Sequence, residues 1–502
     1  MRAFGVHTKH IFLGQGCCHL QTSFLASNLH YYGIRKILSQ SPGGDGFISS
    51  SDNMDGAFLH AKCDAYLPAT ALMKVTLTPD RKAGHEDVLS VSLAALEEVK
   101  QELEKRVETV KALHSYRIQS GFHVYNKLTN QANDFEQDQI GFLGTGCAIP
   151  SKYRNVSGIL YFIASTRTGI LMDVGEGTWF QLLNLRSNFN GLGNLYEFPV
   201  DVRKQKWAEL IKAAWISHAH ADHHLGLITV ILERKKYLQL GGLAFTPMLI
   251  VAPSPVLLFL ADMRDHVYPE LQGAYVAVAN HVYNPIQYCH ACVLERADSL
   301  GSTVSHVDQL AVNEEQQAKR QRVSPVVEQA ESPENLAYAR NCLQQMGIVN
   351  IQAVPVIHCP QAYGLVMTRH SAGVDVKIVY SGDTRPCDEL VVYGKGAKLL
   401  IHEATFQEVE AEEAVQKRHT TIAEAMEVSK RMGAEHLILT HFSQRYHGVP
   451  DQMMQEPYST QDAIVACDYM CLSIKDLSWA PVLTPALHNL IPSSDDLQVL
   501  KG

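Results

Sequence analysis

The sequence predicts an α/β protein whose chemistry sits at the ends of β-strands. Three observations carry this. Short apolar runs that read as strands alternate with segments of helical periodicity. One strand end, Ala213-Ala214-Trp215-Ile216, runs into Ser217-His218-Ala219-His220-Ala221-Asp222-His223-His224, an H-x-H-x-D-H pattern. Polar residues of ligand type recur at or just past strand ends, at Asp173, His218 and His220, His358, Asp383, Glu403 and His441. A rigid sheet positions the loop residues at its strand ends, so ligand sites gather there.

Composition sets the bounds. At 502 residues the chain has room for two to four domains of roughly 100–200 residues each. It is 46% hydrophobic and 19% charged, an ordinary balance for a globular protein with a sizeable core. A net charge of −9 does not mark a general polyanion binder, so any nucleic-acid contact has to be a local basic patch. The 11 cysteines are odd in number and scattered, which points to reduced thiols inside the cell. Cys289-His290-Ala291-Cys292 contains a C-x-x-C but has no second pair, so a separate zinc site there stays open. No long apolar run is present, and no membrane partner is expected. Arg2 and Lys9 in an acid-free leader would suit a mitochondrial presequence, yet residues 9–13 read better as a strand of a folded domain.

Three regions follow. Residues 1–135 hold isolated histidines, a Ser/Gly/Asp-rich loop over 39–55, strand-like runs over 62–78, an amphipathic helix over 93–114 and a polar linker from 119 to 137. The main module spans 136–485. It opens with a strand at 138–143, Gly144-Thr145-Gly146 and the loop Pro150-Ser151-Lys152-Tyr153-Arg154-Asn155. Strands at 158–165 and 169–174 follow, then a helix from about 179, a basic helix over 203–212, the histidine cluster, and a helix over 225–238. A polar insertion over about 312–334, with Lys319-Arg320-Gln321-Arg322, is expected to be disordered. Strands at 351–357, 363–369, 374–380, 398–401 and 436–440 follow, with a helix over 421–432 whose Thr421 and Glu424 have capping-box spacing. Residues 486–502 read as a tail.

In an extended segment residues two apart share a face, so His218 and His220 can grip one cation together. The turn after Ala221 can aim Asp222 and His223 at a second cation. Imidazoles with carboxylates suit zinc, with manganese or iron as alternatives. Together the strand-end residues make a two-metal inventory: His218, His220 and His358 on one ion, Asp222, His223 and His441 on the other, and Asp383 between them. A bridging carboxylate suits ions roughly 3.5–4 Å apart, a spacing that activates water and neutralises a phosphoryl group. Asp173 would fix a histidine tautomer from behind. Glu403 and His419 are candidates for a proton path, although His419 could equally sit exposed at a helix start.

The module from 138 to about 483 resembles the metallo-β-lactamase superfamily and, within it, the tRNase Z family. The matching segments are Leu143-Gly-Thr-Gly with Pro150-x-Lys-x-Arg-Asn155, the histidine motif, Tyr380-Ser-Gly-Asp383-Thr, His402-Glu-Ala-Thr405, His419-Thr-Thr421 and Leu439-Thr-His441-Phe-Ser-x-Arg445-Tyr. The family's usual wording at 419–421 is His-Ser-Thr, and Thr420 keeps the hydroxyl. The resemblance implies an αββα sandwich, two Zn2+ ions per site and precursor tRNA as partner. It also implies cleavage after the discriminator nucleotide, leaving a tRNA 3′-hydroxyl. It gives Asp222 a part in activating water, makes Glu403 and His419 the proton-donating pair, and gives Lys152, Arg154 and Asn155 contact with the 3′ end of the substrate. The protein is expected inside the cell, in the nucleus, the mitochondrion or both. Residues 1–135 resemble, more faintly, a shortened and degenerate first lactamase-like half of a long-form enzyme. Two alternatives stay open: another phosphodiesterase of this fold, or an inactive tRNA-binding homologue.

Overall fold

The computed structural model describes residues 10–13, 66–69, 74–76, 84–86 and 137–484, except 152, 186–198, 287–323, 372, 447, 455–462, 479 and 483. Contacts divide the chain into two units, one of residues 131–485 and one of 1–130 with 486–502. In the second of these, His10–Leu13 pairs in parallel with Tyr66–Ala69, and Lys74–Thr76 pairs antiparallel with Gly84–Glu86. The helix expected over 93–114, Lys152, the Cys289/Cys292 pair and Lys319–Arg322 lie outside the described residues.

The larger unit is built on two sheets. Strands β1 (Gln139–Gly144), β2 (Gly158–Ile163) and β3 (Thr168–Val174) lead through helices α1 (Thr178–Asn184) and α2 (Val200–Leu210) into β4 (Ile211–Trp215). The expected basic helix ends at Leu210, because Ile211 onward pairs in parallel with β3. The single helical turn α3 (Ala221–His224) and helix α4 (Leu227–Leu240) follow, then β5 (Met248–Ala252), α5 (Ser254–His266) and β6 (Tyr275–Ala279). Part of the expected disordered insertion is folded: α6 (Pro325–Ala330) and α7 (Pro333–Gln345) both carry Pro in the first turn, and Ser332 caps α7 through Asn335 N. The two Ser-Pro pairs are helix starts, since proline is tolerated where the N–H has no helical partner.

The second sheet begins with β7 (Ile348–Pro355), β8 (Tyr363–Ser371) and β9 (Val374–Tyr380). After α8 (Asp388–Gly394) come β10 (Leu399–Glu403), α9 (Ala411–Lys417), α10 (Ile422–Met432), β11 (His436–Thr440), β12 (Ile464–Val465) and β13 (Cys471–Ser473). Among the described residues the first sheet runs β6-β5-β4-β3-β2-β1-β13 and the second β7-β8-β9-β10-β11-β12. The capping box read at Thr421 and Glu424 is formed in both directions.

The two inner faces meet in the core. β1, β2, β3 and β5 are buried along their whole length, as expected of strands covered on both faces. Trp215 of β4 meets Tyr380 of β9 edge to face, ring centres 6.2 Å apart. A buried ion pair ties the layers, with Arg369 of β8 bonded to Asp138 and, through Nη2, to Ser165 Oγ at 3.0 Å. No helix among the described residues is long and apolar enough to cross a membrane.

Candidate functional site

The ligand-type residues of the sequence converge in one cleft at the strand ends. His218, His220, Asp222 and His223 follow β4, with Asp222 and His223 carried on α3. The turn can pack this tightly because it meets glycine. A Cβ on Gly175 would come within 2.3 Å of the Asp222 carbonyl, and one on Gly226 within 2.2 Å of the Gly175 carbonyl. From the second sheet come His358 after β7, Asp383 after β9 and His441 after β11.

The seven fall into two groups. In the first, His218 Nε2 and His358 Nε2 lie 3.0 and 3.1 Å from His220 Nδ1. Burial and the imidazole of His223 hold His218 well below the ordinary histidine range, and burial with His358 lowers His220. In the second, Asp222 Oδ2 stands 3.5 Å from both His223 Nε2 and His441 Nε2. Asp383 faces both groups, with Oδ2 3.2 Å from His223 Nε2 and 3.6 Å from His218 Nε2, and Oδ1 3.4 Å from His441 Nε2. Burial alone would raise the Asp383 carboxyl, but His223, His441 and His218 outweigh it and hold it well below the carboxylate range. His224, the residue after the motif, turns away: its Nε2 meets the Ala219 carbonyl at 3.1 Å and its ring lies against Phe259.

Five of the seven are aimed from behind. Asp173 is fully buried and takes four hydrogen bonds, from Ser217 N (2.7 Å), Ser217 Oγ (2.7 Å), His223 Nδ1 (2.7 Å) and Tyr380 Oη (2.8 Å). The His223 bond leaves Nε2 to face the cleft. Because the Ser217 hydroxyl proton goes to Asp173, its oxygen accepts from His218 Nδ1 at 2.9 Å. His358 Nδ1 donates to the Arg418 carbonyl at 2.9 Å. His441 Nδ1 donates to Thr405 Oγ1 at 2.9 Å, and that hydroxyl donates to Glu403 Oε2 at 2.6 Å. Asp222 Oδ2 accepts from Ala148 N at 2.7 Å.

Glu403 and His419 meet directly, Oε1 to Nδ1 at 2.9 Å. Glu403 also accepts from Thr384 N at 2.6 Å and Thr420 N at 3.2 Å. Burial opposes the charge on His419, but the Glu403 carboxylate overrides it and carries the imidazole up to about 9. The ring is mostly buried, 4.8 Å from that of His358 and 5.5 Å from that of His441. His419 is therefore part of the cleft and not an exposed helix start.

The loop at 150–155 differs from expectation. The Arg154 guanidinium points into the protein, 2% exposed, and bonds to Thr145 Oγ1 (2.7 Å) and the carbonyls of Ala466 (2.9 Å), Gly448 (2.7 Å) and Tyr446 (3.3 Å). It stacks on Phe442 with its donors committed to protein acceptors, so substrate contact through Arg154 is corrected to a structural role. Asn155 is likewise engaged: its N–H bonds to Asp468 Oδ2 at 2.7 Å and its amide nitrogen to the Glu176 carbonyl at 2.9 Å. Asp468, buried with its carboxyl pushed up to about 7 by that burial, was not found from the sequence, and nothing local to it signals the role. Ser217 and Thr405 carry no local signal of their roles either, although Ser217 directly precedes the histidine motif and Thr405 closes His402-Glu-Ala-Thr405.

Comparison with known proteins bears on this arrangement. A family model for a β-lactamase superfamily domain matches residues 288–442. A mitochondrial tRNase Z of Arabidopsis thaliana is 34% identical over 359 residues, 70% of this chain and 36% of that protein. The zinc phosphodiesterase ELAC protein 2 of Homo sapiens is 35% identical over 352 residues, 70% of this chain and 35% of that protein. A crystal structure of a long-form RNase Z from yeast matches with a TM-score of 0.53 and 27% identity, covering 72% of this chain and 45% of that one. The chain thus spans about a third of the length of these curated relatives. Two stacked sheets, a ligand cluster at their strand ends and these likenesses agree: the chain belongs to the metallo-β-lactamase superfamily, in its tRNase Z family.

Proposed function

We propose that the chain is the catalytic part of a zinc-dependent endonuclease that removes the 3′ trailer of precursor tRNA, cutting after the discriminator nucleotide. The observation that supports this most directly is the Glu403–His419 couple lying beside the seven-residue ligand set. The names of the relatives, tRNase Z and zinc phosphodiesterase, agree with it.

The residues fit two zinc ions. Lone pairs of neutral imidazoles do not approach to 3.0–3.1 Å without a cation or proton between them. His223 Nε2, His441 Nε2 and Asp383 Oδ1 are buried without a hydrogen-bond partner, which a native protein rarely tolerates unless an ion completes the site. His218, His220 and His358 would hold one ion, and Asp222, His223 and His441 the other, with Asp383 shared. When bound, the ions supply a nucleophilic water at neutral pH and neutralise charge on the phosphoryl group.

The chain's own residues do the rest. Asp173 and Thr405 keep the Nε2 atoms of His223 and His441 turned inward. Asp222, held ionised and tied to Ala148 N, orients the attacking water. His419, protonated beside Glu403, keeps one proton on Nδ1 for that carboxylate and gives the Nε2 proton to the departing ribose 3′-oxygen. The tRNA is then left with a 3′-hydroxyl and the trailer with a 5′-phosphate. The Arabidopsis relatives are named mitochondrial, which favours the mitochondrion over the nucleus as the place of action.

The test incubates purified chain and zinc with precursor tRNA and, separately, bis(p-nitrophenyl) phosphate. A product ending in a 3′-hydroxyl at the discriminator nucleotide is expected. Turnover of the small ester alone would replace this reading with a general phosphodiesterase.

A further inference from the structure

The segment 418–420 is held at each of its three residues, and two of the holds are arginines that the chemistry above does not use. Arg418 ends α9 in a left-handed conformation, φ 58°, which turns its carbonyl onto His358 Nδ1, while its Nη1 donates back to the His358 carbonyl at 2.6 Å. Thr420 donates its N–H to Glu403 and its hydroxyl to the Thr384 carbonyl. Between them stands His419. Its own carbonyl accepts from Arg385 Nη1 at 2.6 Å.

Arg385 is itself fixed at both ends. Its backbone N–H donates to the Ile357 carbonyl at 2.9 Å, two residues beyond Asp383 and one before His358. Its guanidinium makes a forked pair with Glu424, Nη1 to Oε2 at 2.8 Å and Nη2 to Oε1. Glu424 Oε2 also accepts Thr421 N at 2.9 Å, closing the capping box of α10. The guanidinium thus ties the ligand-bearing turn after β9 to the helix start that carries His419. A bidentate arginine is suited to this, because its planar fork fixes direction as well as distance.

We propose that Arg385, braced by Glu424, is a positioning residue for His419: it sets the height of the imidazole over the ligand set so that Nδ1 stays on Glu403 and Nε2 stays on the leaving oxygen. This rests on the reading of His419 as the proton donor. Arg385 touches neither substrate nor ions. Its removal leaves the Arg418 and Thr420 holds in place, so the segment stays folded while the ring gains freedom. Glu424, 31% exposed, can take water in its place.

The experiment compares Arg385→Met, which keeps length and removes the fork, with Arg385→Lys and wild type, all zinc-loaded. With precursor tRNA, whose leaving group needs a proton, kcat is expected to fall about tenfold with KM within about twofold. With bis(p-nitrophenyl) phosphate, whose p-nitrophenolate departs unprotonated, the rate stays within about twofold. Lysine, with one donor in place of the fork, falls between. Imidazole 1H–15N spectra provide a readout independent of substrate: the wild type shows a slowly exchanging His419 Nδ1–H held on Glu403, and the methionine variant exchanges that proton rapidly with solvent. Equal losses on both esters, loss of bound zinc, or an unchanged His419 spectrum would each overturn the proposal. If the wild type cleaves no precursor tRNA, the substrate reading fails, and the spectra alone decide the role of Arg385.

Discussion

Asp173→Asn tests how the ligand set is aimed. The carboxylate sends Oδ1 to Ser217 N and Oδ2 to Ser217 Oγ, His223 Nδ1 and Tyr380 Oη. An asparagine can keep its oxygen on the three donors only by turning its amide nitrogen onto Ser217 N–H, donor against donor. One buried backbone N–H is then unsatisfied, about 1–3 kcal/mol, and three bonds lose charge assistance at about 1 kcal/mol each, so a stability loss of about 4–6 kcal/mol is the upper expectation before relaxation. The backbone adds nothing to this, because φ is 55° here and asparagine accepts the left-handed region as readily as aspartate. The effect on zinc is unequal. His223 loses its direct carboxylate partner, so affinity for the ion it would hold with Asp222 and His441 drops about 10–100-fold. His218 feels the change only through Ser217, and its companions His220 and His358 are not bonded to Asp173, so that ion stays nearly as tight. Competition with a chromogenic chelator resolves the two steps, and thermal unfolding gives the stability term. Wild-type affinity at both steps would refute the reasoning, as would equal weakening of both in folded protein.

His419→Gln should lower cleavage of precursor tRNA by about 10²–10⁴-fold while sparing bis(p-nitrophenyl) phosphate, measured as kcat on both substrates. His223→Ala should reduce turnover of either ester by orders of magnitude, with one zinc lost by elemental analysis. In metal-free protein the raised His419 pKa implies stability present below about 6.5 and lost as pH rises through about 9. The gap in Tm between wild type and His419→Gln should therefore narrow from pH 6.5 to 9, and a gap that does not change with pH would count against the Glu403 pairing. Arg154→Met should lower stability by about 3–5 kcal/mol, because Thr145 Oγ1 and the carbonyls of residues 446, 448 and 466 lose their shared donor and the buried Asp468 carboxyl loses a nearby cation. A raised KM in a variant of unchanged Tm would instead restore Arg154 to the substrate.

What could be read from the sequence was whatever is local in the chain. The H-x-H-x-D-H cluster, the strand-end residues His358, Asp383 and His441, and the capping box of Thr421 and Glu424 each announce themselves within a few residues, and the structure brings the ligand-type ones into one cleft. What could not be read was the consequence of long-range packing. Two cations in a loop at 150–155 look like a substrate contact until Tyr446, Gly448 and Ala466 close over Arg154, 292 to 312 positions later in the chain. The Ser-Pro pairs look like disorder until α6 and α7 pack, and there proline occupies the first turn of each helix. Thr405 and Ser217 read as motif filler because a hydroxyl relaying a proton position between a histidine and a carboxylate has no periodicity to reveal it.

The same cause explains two of the places where the backbone departs from its usual regions. Asp173 and His441, one behind the ligand set and one within it, both take positive φ, at 55° and 60°. Asp173 is the extra residue of a β-bulge in β3, since Met172 and Val174 pair with the adjacent residues Ile159 and Gly158. A regular strand would have sent its side chain to the face set by alternation, and the bulge re-aims it under the histidines. His441 makes the matching turn at the end of β11, where Thr405 Oγ1 contacts both its carbonyl and its ring. Each such residue costs on the order of 1–3 kcal/mol relative to ordinary backbone. Glycine would relieve both positions but would remove a carboxylate that accepts four donors and an imidazole that faces two carboxylates. Strain therefore falls on those two positions because a polar side chain at a fixed angle is needed there, and the buried β-strands on either side supply the stability that holds it.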